Sequence, residues 1–264
     1  MFSFSFIQLF SDVSKVLKIT YITRKLFSFK LFTLSFFNFI AKFINMLVMF
    51  LPVKAFILLS SNANNKDIII VEGYLGDYGY VAMILSVTII LYGLNIVLHL
   101  YTGRLLNRQK HKFEKREYKV NDIILTKRFL IATHRKMIEL LADIILIFTS
   151  FILFVFLSIE FSLLFLVIVS LYIIYIRQAI YNKNGSKVLD LFKLDESQFL
   201  IISNSIFYLS LFLSTFMVFI YFGMNVTSGI FILLLCRLNS NSIKRLMINF
   251  NLICDNIDRL TRNE

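Results

Sequence analysis

Six long apolar segments, separated by shorter charged connections, are the feature that most constrains how this chain of 264 residues can fold. The hydrocarbon core of a bilayer is about 30 Å thick, so a helix that crosses it needs roughly 20 mostly apolar residues. With 58% hydrophobic residues and a mean hydropathy of +0.76, the chain does not fit a soluble fold with apolar core helices. The predicted spans are Leu31–Leu59, Tyr80–Gly103, Ile138–Leu157, Phe161–Ile176, Phe199–Phe222 and a shorter, more polar one from Val226 into the 240s.

The charges of the connections alternate along the chain. Lys and Arg dominate the first 30 residues, the second connection (104–136), the fourth (177–193) and the tail. Acids outnumber bases in residues 60–79, Glu160 is the charged residue of the third connection, and the fifth has no charge. Because basic residues concentrate on the cytoplasmic side, both termini are predicted to be cytoplasmic. We expect a multi-pass protein of the bacterial cytoplasmic (inner) membrane.

The formal net charge of +12 indicates which kinds of partner the chain can have. In a soluble chain it would suggest nucleic acid. Here the basic residues serve topology and contact with anionic lipids, at about 1 kcal/mol for each residue near the surface. We therefore expect the lipid bilayer, and no nucleic acid, as a partner.

Catalytic and metal-binding patterns do not appear in the sequence. The two cysteines, Cys236 and Cys254, are predicted to lie toward the cytoplasm, where disulfides are rare. His99, His111 and His134 lack the spacing of metal ligands. We expect no metal, no cofactor on this chain and no enzymatic activity.

Three regions are predicted. Residues 1–30 form an N-terminal amphipathic helix that lies in the interface, because Phe6, Ile7, Phe10, Val13 and Leu17 recur at helical spacing. The alternative is a frayed leader with fortuitous periodicity. Residues 31–238 form the six-span transmembrane domain, and residues 239–264 form a cytoplasmic helical extension of the sixth span. The predicted fold is all-α.

A few polar side chains interrupt the first four spans. Lys42 in the first span is expected to snorkel to the cytoplasmic surface. Asn95 and His99 in the second span are expected to pack against a neighbouring helix more readily than to bind a ligand. Spans three and four are interpreted as apolar helices that face lipid over much of their circumference.

The sixth span carries polar residues where a lipid-facing helix is apolar. At 100° per residue, Arg237, Asn241, Lys244 and Arg245 share one face. Intramembrane charge suggests a functional site, so we predict a translocation path or cavity with a positive potential, which suits an anionic substrate. The alternative is that the span ends near Leu238 and these residues meet cytoplasm and lipid phosphates. The candidate path residues are Arg237, Asn239, Asn241, Lys244 and Arg245.

Beyond this site, apolar residues recur three and four apart on an otherwise polar helix. Such a seam needs a partner helix, either within the chain or on a second copy, and a dimer is the expected arrangement. The seam residues are Ile243, Leu246, Phe250, Ile253, Ile257 and Leu260.

The order of these features resembles the transmembrane domain of ABC exporters of the six-helix, domain-swapped type. The N-terminal segment is similar to the elbow helix of that family, and LPVKAFILLSS at 51–61 to the outer end of its first span. FVFLSIEFSLLFLVIVSLYIIYI at 154–176 is similar to its third-to-fourth hairpin. The strongest similarity is in NVTSGIFILLLCRLNSNSIKRLMINFNLICDNIDRL at 225–260.

The resemblance implies a permease subunit that acts with a second copy or a paralogue. The sequence has no GxxxxGK[ST] motif and ends at Glu264, where the ATPase domain of the family would begin, so the ATPase and its ATP are expected on a separate chain. The cytoplasmic excursions are also shorter than those of the family. That difference favours an alternative, a degenerate exporter-like subunit that scaffolds or regulates a larger membrane complex without transporting. Another transporter or a lipid-modifying membrane protein is a third class.

Overall fold

The computed structural model describes residues 30–60, 66–114, 118–120, 123–125, 127–176 and 196–262. These residues form six helices and a short hairpin. The predicted interfacial helix at 1–30 lies outside the described residues, except for Lys30. In chain order the elements are α1 (Lys30–Ser60), α2 (Lys66–Glu114), β1 (Tyr118–Val120), β2 (Ile123–Leu125), α3 (Lys127–Leu157), α4 (Ile159–Ile176), α5 (Glu196–Phe222) and α6 (Val226–Arg262).

Each helix contains a segment long and apolar enough to cross a membrane, which confirms the predicted all-α fold with six spans. The chain is therefore a multi-pass membrane protein. The spanning segments are Leu31–Ile57, Val81–Arg108, Ile131–Leu157, Ile159–Ile176, Gln198–Phe222 and Val226–Phe250.

Successive helices run in opposite directions through the bundle. Leu31 and Leu34, at the start of α1, cluster with Leu106 near the end of α2, Met137 near the start of α3 and Ile253 near the end of α6. Lys30 and Arg262 therefore lie toward the same end of the bundle, which we call the basic end because α2 and α3 meet there through their Lys- and Arg-rich connection. That the basic end is cytoplasmic stays a prediction.

Two tight turns connect the helices at the opposite end. Ser158 caps α4, since its Oγ accepts a hydrogen bond from the Phe161 amide at 3.2 Å and donates one to Glu160 at 2.9 Å. Gly223 follows α5 with φ = 65°, a left-handed conformation that glycine adopts without a steric cost. Both turns leave the connected helices side by side.

Aromatic side chains form much of the core between α3, α4 and α5. Phe154 is fully buried and meets Phe161 edge-on, with ring centroids 5.0 Å apart. Tyr172 of α4 stacks on Phe207 of α5 at 4.1 Å. Within this single chain, α5 also packs on α6, so α4 and α5 stay attached to the bundle formed by α1, α3 and α6.

The helices differ greatly in length. Helix α4 has 18 residues, which is about 27 Å at ~1.5 Å per residue. Helix α2 has 49 residues and α6 has 37, so both continue past the end of α4 at the basic end. Between α2 and α3 the antiparallel strands β1 and β2 pair Tyr118 with Leu125 and Val120 with Ile123, an element that the sequence analysis did not predict.

Candidate functional site

A buried carboxylate joins three helices. Asp143 of α3 is 0% exposed. Lys42 of α1 donates from Nζ to Asp143 Oδ1 at 2.7 Å, and Arg245 of α6 donates from Nη2 to the same oxygen at 3.3 Å. We call Lys42, Asp143 and Arg245 the ion triad. It ties α1, α3 and α6 together at one level of the bundle.

The ion triad lies within the predicted membrane region, toward the basic end. Along α3, Asp143 is about 22 Å from the Ser158 turn at ~1.5 Å per residue, whereas α4 crosses about 27 Å from the same turn. Asp143 is therefore close to the level where α4 ends. A charge at such a depth is costly unless it is paired. Removal of one partner of a buried ion pair typically costs about 3–5 kcal/mol.

The ion triad does not balance its own charge. Two cations meet one carboxylate, and Asp143 Oδ2 is buried without a hydrogen-bond partner. The Arg245 side chain is 44% exposed, and its Nη2 also donates to Ser242 Oγ at 3.1 Å. Arg245 therefore reaches from the buried carboxylate to the outer surface of α6.

The inward face of α6 is polar over the same stretch. Asn239 and Ser242 are both fully buried. Asn239 donates from Nδ2 to the Leu235 carbonyl at 2.9 Å, while its Oδ1 has no partner. Ser240 donates to Asn204 Oδ1 of α5 at 2.8 Å. The Asn239 bond stays within α6, whereas the Ser240 bond connects α6 to α5.

The outward face of α6 carries the remaining residues of the predicted path. Arg237 and Asn241 are exposed, and neither forms a hydrogen bond within the part of the chain that the structure describes. Together with Arg245 they form one row at four-residue spacing, which we call the α6 polar row. Lys244 is half-buried beside it. The structure thus places Asn239 on the opposite, buried face, away from the other predicted path residues.

The α6 polar row extends to the middle of the apolar segment that is long enough to span a membrane. Arg237 is near the centre of the 25-residue span Val226–Phe250. A lipid-facing arginine at the centre of a helix costs about 2.5–3.5 kcal/mol on insertion scales. An exposed polar row at this depth therefore needs water or another protein surface beside it.

The apolar seam is packed within the chain at three positions. Ile243 belongs to the core around Phe154 and Leu235. Ile253 is 0% exposed in the cluster of α1 and α3 residues at the basic end, and Phe250 packs against that cluster. Leu246 is half-buried, and the side chains of Ile257 and Leu260 lie outside the described ones. A seam between two copies stays a prediction.

Sequence reasoning missed the ion triad. That α3 faces lipid over much of its circumference stays a prediction, with Phe148 and Phe156 exposed, but the interpretation of this helix as apolar overlooked the buried Asp143. The expectation that Lys42 snorkels to the surface is wrong, since its side chain is 16% exposed and bound to Asp143. The available signal was an aspartate inside an apolar span together with an unpaired lysine inside another.

Within the described residues, no three His, Cys, Asp or Glu side chains come together as metal ligands. No family model, curated protein or solved structure matches the chain. The features of the site therefore describe the class of this chain. It is a multi-pass membrane protein with a buried ion triad and an exposed polar row on α6.

Proposed function

We propose that this chain is the membrane (permease) subunit of an ABC-type export system whose ATPase is a separate chain. Two copies, or this chain and a paralogue, face each other through their sixth helices and enclose the transport path. The substrate is anionic or carries an acidic group.

The observation that carries the proposal is the α6 polar row. Arg237 and Asn241 are exposed in the single chain at a depth where hydrocarbon does not solvate them. If two such helices line a common path, these side chains face water instead of lipid. Four guanidinium groups, from Arg237 and Arg245 of each copy, then give the path a positive potential that attracts anions.

The lengths of the helices support a binding place for an ATPase at the basic end. Helix α6 continues about 18 Å past Phe250 at ~1.5 Å per residue. The β1–β2 hairpin lies between α2 and α3 in the chain, within the short connection at the basic end. A partner that binds the hairpin and the end of α6 would contact three helices at once.

The test is purification of the epitope-tagged chain from its native membrane in a mild detergent, followed by an assay of ATP hydrolysis with and without vanadate. The proposal predicts vanadate-sensitive hydrolysis that co-purifies with the chain. An intact assembly that does not hydrolyse ATP would contradict it.

The path itself is tested by cross-linking. With residues 236 and 254 changed to alanine, a cysteine at Asn241 should cross-link two copies or the chain and its paralogue. A cysteine at Leu213 of α5 is the matched control, since Leu213 is also exposed but lies on a different helix. Equal cross-linking at both positions would argue against a path between sixth helices.

The ion triad and the packing of α4 and α5 favour a second function. The triad fastens α1, α3 and α6 together, and within the chain α4 packs on α3 and α5 packs on α4 and α6. These contacts suit a rigid, non-transporting subunit that scaffolds or regulates a larger membrane complex. Such a subunit would co-purify with its complex. The substitution Arg237→Gln would then leave the rate of ATP hydrolysis by that complex unchanged.

A further inference from the structure

A cavity of about 260 Å³ lies between α1, α2 and α3, apart from the α6 polar row. The polar lining residues are Asn38 of α1, His99 and Thr102 of α2, and Arg135 and Glu139 of α3. Apolar residues and one glycine form the rest of the lining. The cavity lies toward the basic end, since Glu139 and Arg135 of α3 are about 28 and 34 Å from the Ser158 turn at ~1.5 Å per residue, beyond the 18 residues of α4. The cavity is therefore at the level of lipid headgroups.

The charged groups of the cavity have opposite signs. Arg135 and Glu139 are one helical turn apart, and Arg135 Nε is 3.4 Å from Glu139 Oε1. The contact is long, and the two side chains are 74% and 35% exposed, so a ligand can separate them at little cost. A purely anionic ligand would face the carboxylate, and a purely cationic one would face the guanidinium.

Two further polar side chains of the cavity, Asn38 and His99, have no hydrogen-bond partner among the described residues. Thr102 donates to the Leu98 carbonyl at 2.8 Å, so its oxygen remains an acceptor. Together these groups offer donors and acceptors for ester and phosphate oxygens.

Lipid has access to this place. Helix α2 packs mainly on α1 and makes few contacts with α3, so the cavity lies beside an opening between α2 and α3. Deeper along α2, on the side that carries His99, Tyr92 and Ile96 are exposed, at 57% and 47%. Acyl chains can lie along these side chains while a headgroup occupies the cavity.

We propose that this cavity binds the phosphoethanolamine headgroup of a membrane phospholipid, with Arg135 on the phosphate and Glu139 on the ammonium. The two groups of this headgroup are joined by a short two-carbon link, which matches two side chains one helical turn apart. A trimethylated ammonium cannot donate hydrogen bonds to Glu139, and a glycerol headgroup has no positive charge. The site therefore distinguishes phosphatidylethanolamine from phosphatidylcholine and phosphatidylglycerol.

The test is native mass spectrometry of the full chain purified in detergent, with the three phospholipids added at equal concentration and with identical acyl chains. We expect phosphatidylethanolamine to be retained at least tenfold better than either competitor, which corresponds to about 1.4 kcal/mol. Equal retention of the three lipids would overturn the proposal. Displacement of the bound lipid by inorganic phosphate at millimolar concentration would also overturn it.

Substitutions of Glu139 and Arg135 test which part of the headgroup each side chain binds. Glu139→Gln should abolish the preference for phosphatidylethanolamine over phosphatidylcholine, and Arg135→Gln should weaken the retention of both. Arg104→Gln is the matched control, because Arg104 is exposed on α2 and does not line the cavity. Asn38→Leu provides a further variant that changes no charge and should also weaken retention. A preference that survives in Glu139→Gln, with a size-exclusion profile like that of the wild type, would refute the role of the carboxylate.

Discussion

Replacement of Asp143 by Asn should destabilise the bundle strongly. The carboxylate is the only described acid that contacts Lys42 and Arg245, and both cations touch the same oxygen. Without its charge, two cations remain at most about 6 Å apart, because they lie 2.7 and 3.3 Å from that oxygen. At an effective dielectric constant of about 20, their repulsion at that distance is roughly 3 kcal/mol.

The expected loss of stability follows from these terms. A broken buried pair typically costs about 3–5 kcal/mol, and the partial exposure of Arg245 places Asp143→Asn toward the lower value. For a chain of this size, 1 kcal/mol corresponds to about 2–4 °C in the midpoint of thermal unfolding. We therefore expect a decrease of roughly 6–12 °C.

The buried thiol of Cys236 provides the assay. Cys236 is 0% exposed, so a dye that becomes fluorescent on reaction with thiols reports unfolding in a Cys254→Ala background. Scan rates must match, because membrane proteins often unfold irreversibly. Glu160→Gln is the control, since this acid is exposed in the first turn of α4, outside the ion triad. The double variant Lys42→Gln with Asp143→Asn should recover part of the loss. A midpoint for Asp143→Asn within 2 °C of the wild type would refute the reasoning.

Three further predictions concern the core, the seam and the topology. Phe154→Ala should cost about 3–5 kcal/mol, because it opens a cavity among packed rings; Phe156→Ala, at a position 83% exposed, should leave the unfolding midpoint unchanged in the same thiol assay. Ile253→Asp should abolish a monodisperse size-exclusion peak, since the charge would be buried within the chain; a folded monomer would instead place Ile253 at a contact between copies. Finally, a cysteine at Arg104 should be labelled only from the cytoplasm and one at Glu160 only from outside; the reverse pattern would invert the topology.

The spans were predictable because membrane thickness translates directly into the length of an apolar segment. The pairing of Lys42 with Asp143 was not, because the two residues are 101 positions apart and helical periodicity carries no information about which helices become neighbours. For Arg245 the sequence indicated the helical face but not its inner partner. The β1–β2 hairpin is marked in the sequence only by Asn121 and Asp122, residue types that favour two-residue hairpin turns.

The short α4 has a consequence for the bilayer around the protein. Its 18 residues provide about 27 Å of apolar length, whereas the 27-residue span of α1 provides about 40 Å at ~1.5 Å per residue. A bilayer of uniform thickness cannot match both, so α1 must tilt or the lipid beside α4 must thin. The protein then carries a built-in hydrophobic mismatch between two of its sides, and bilayers with longer acyl chains should increase the elastic cost at α4 before they affect α1.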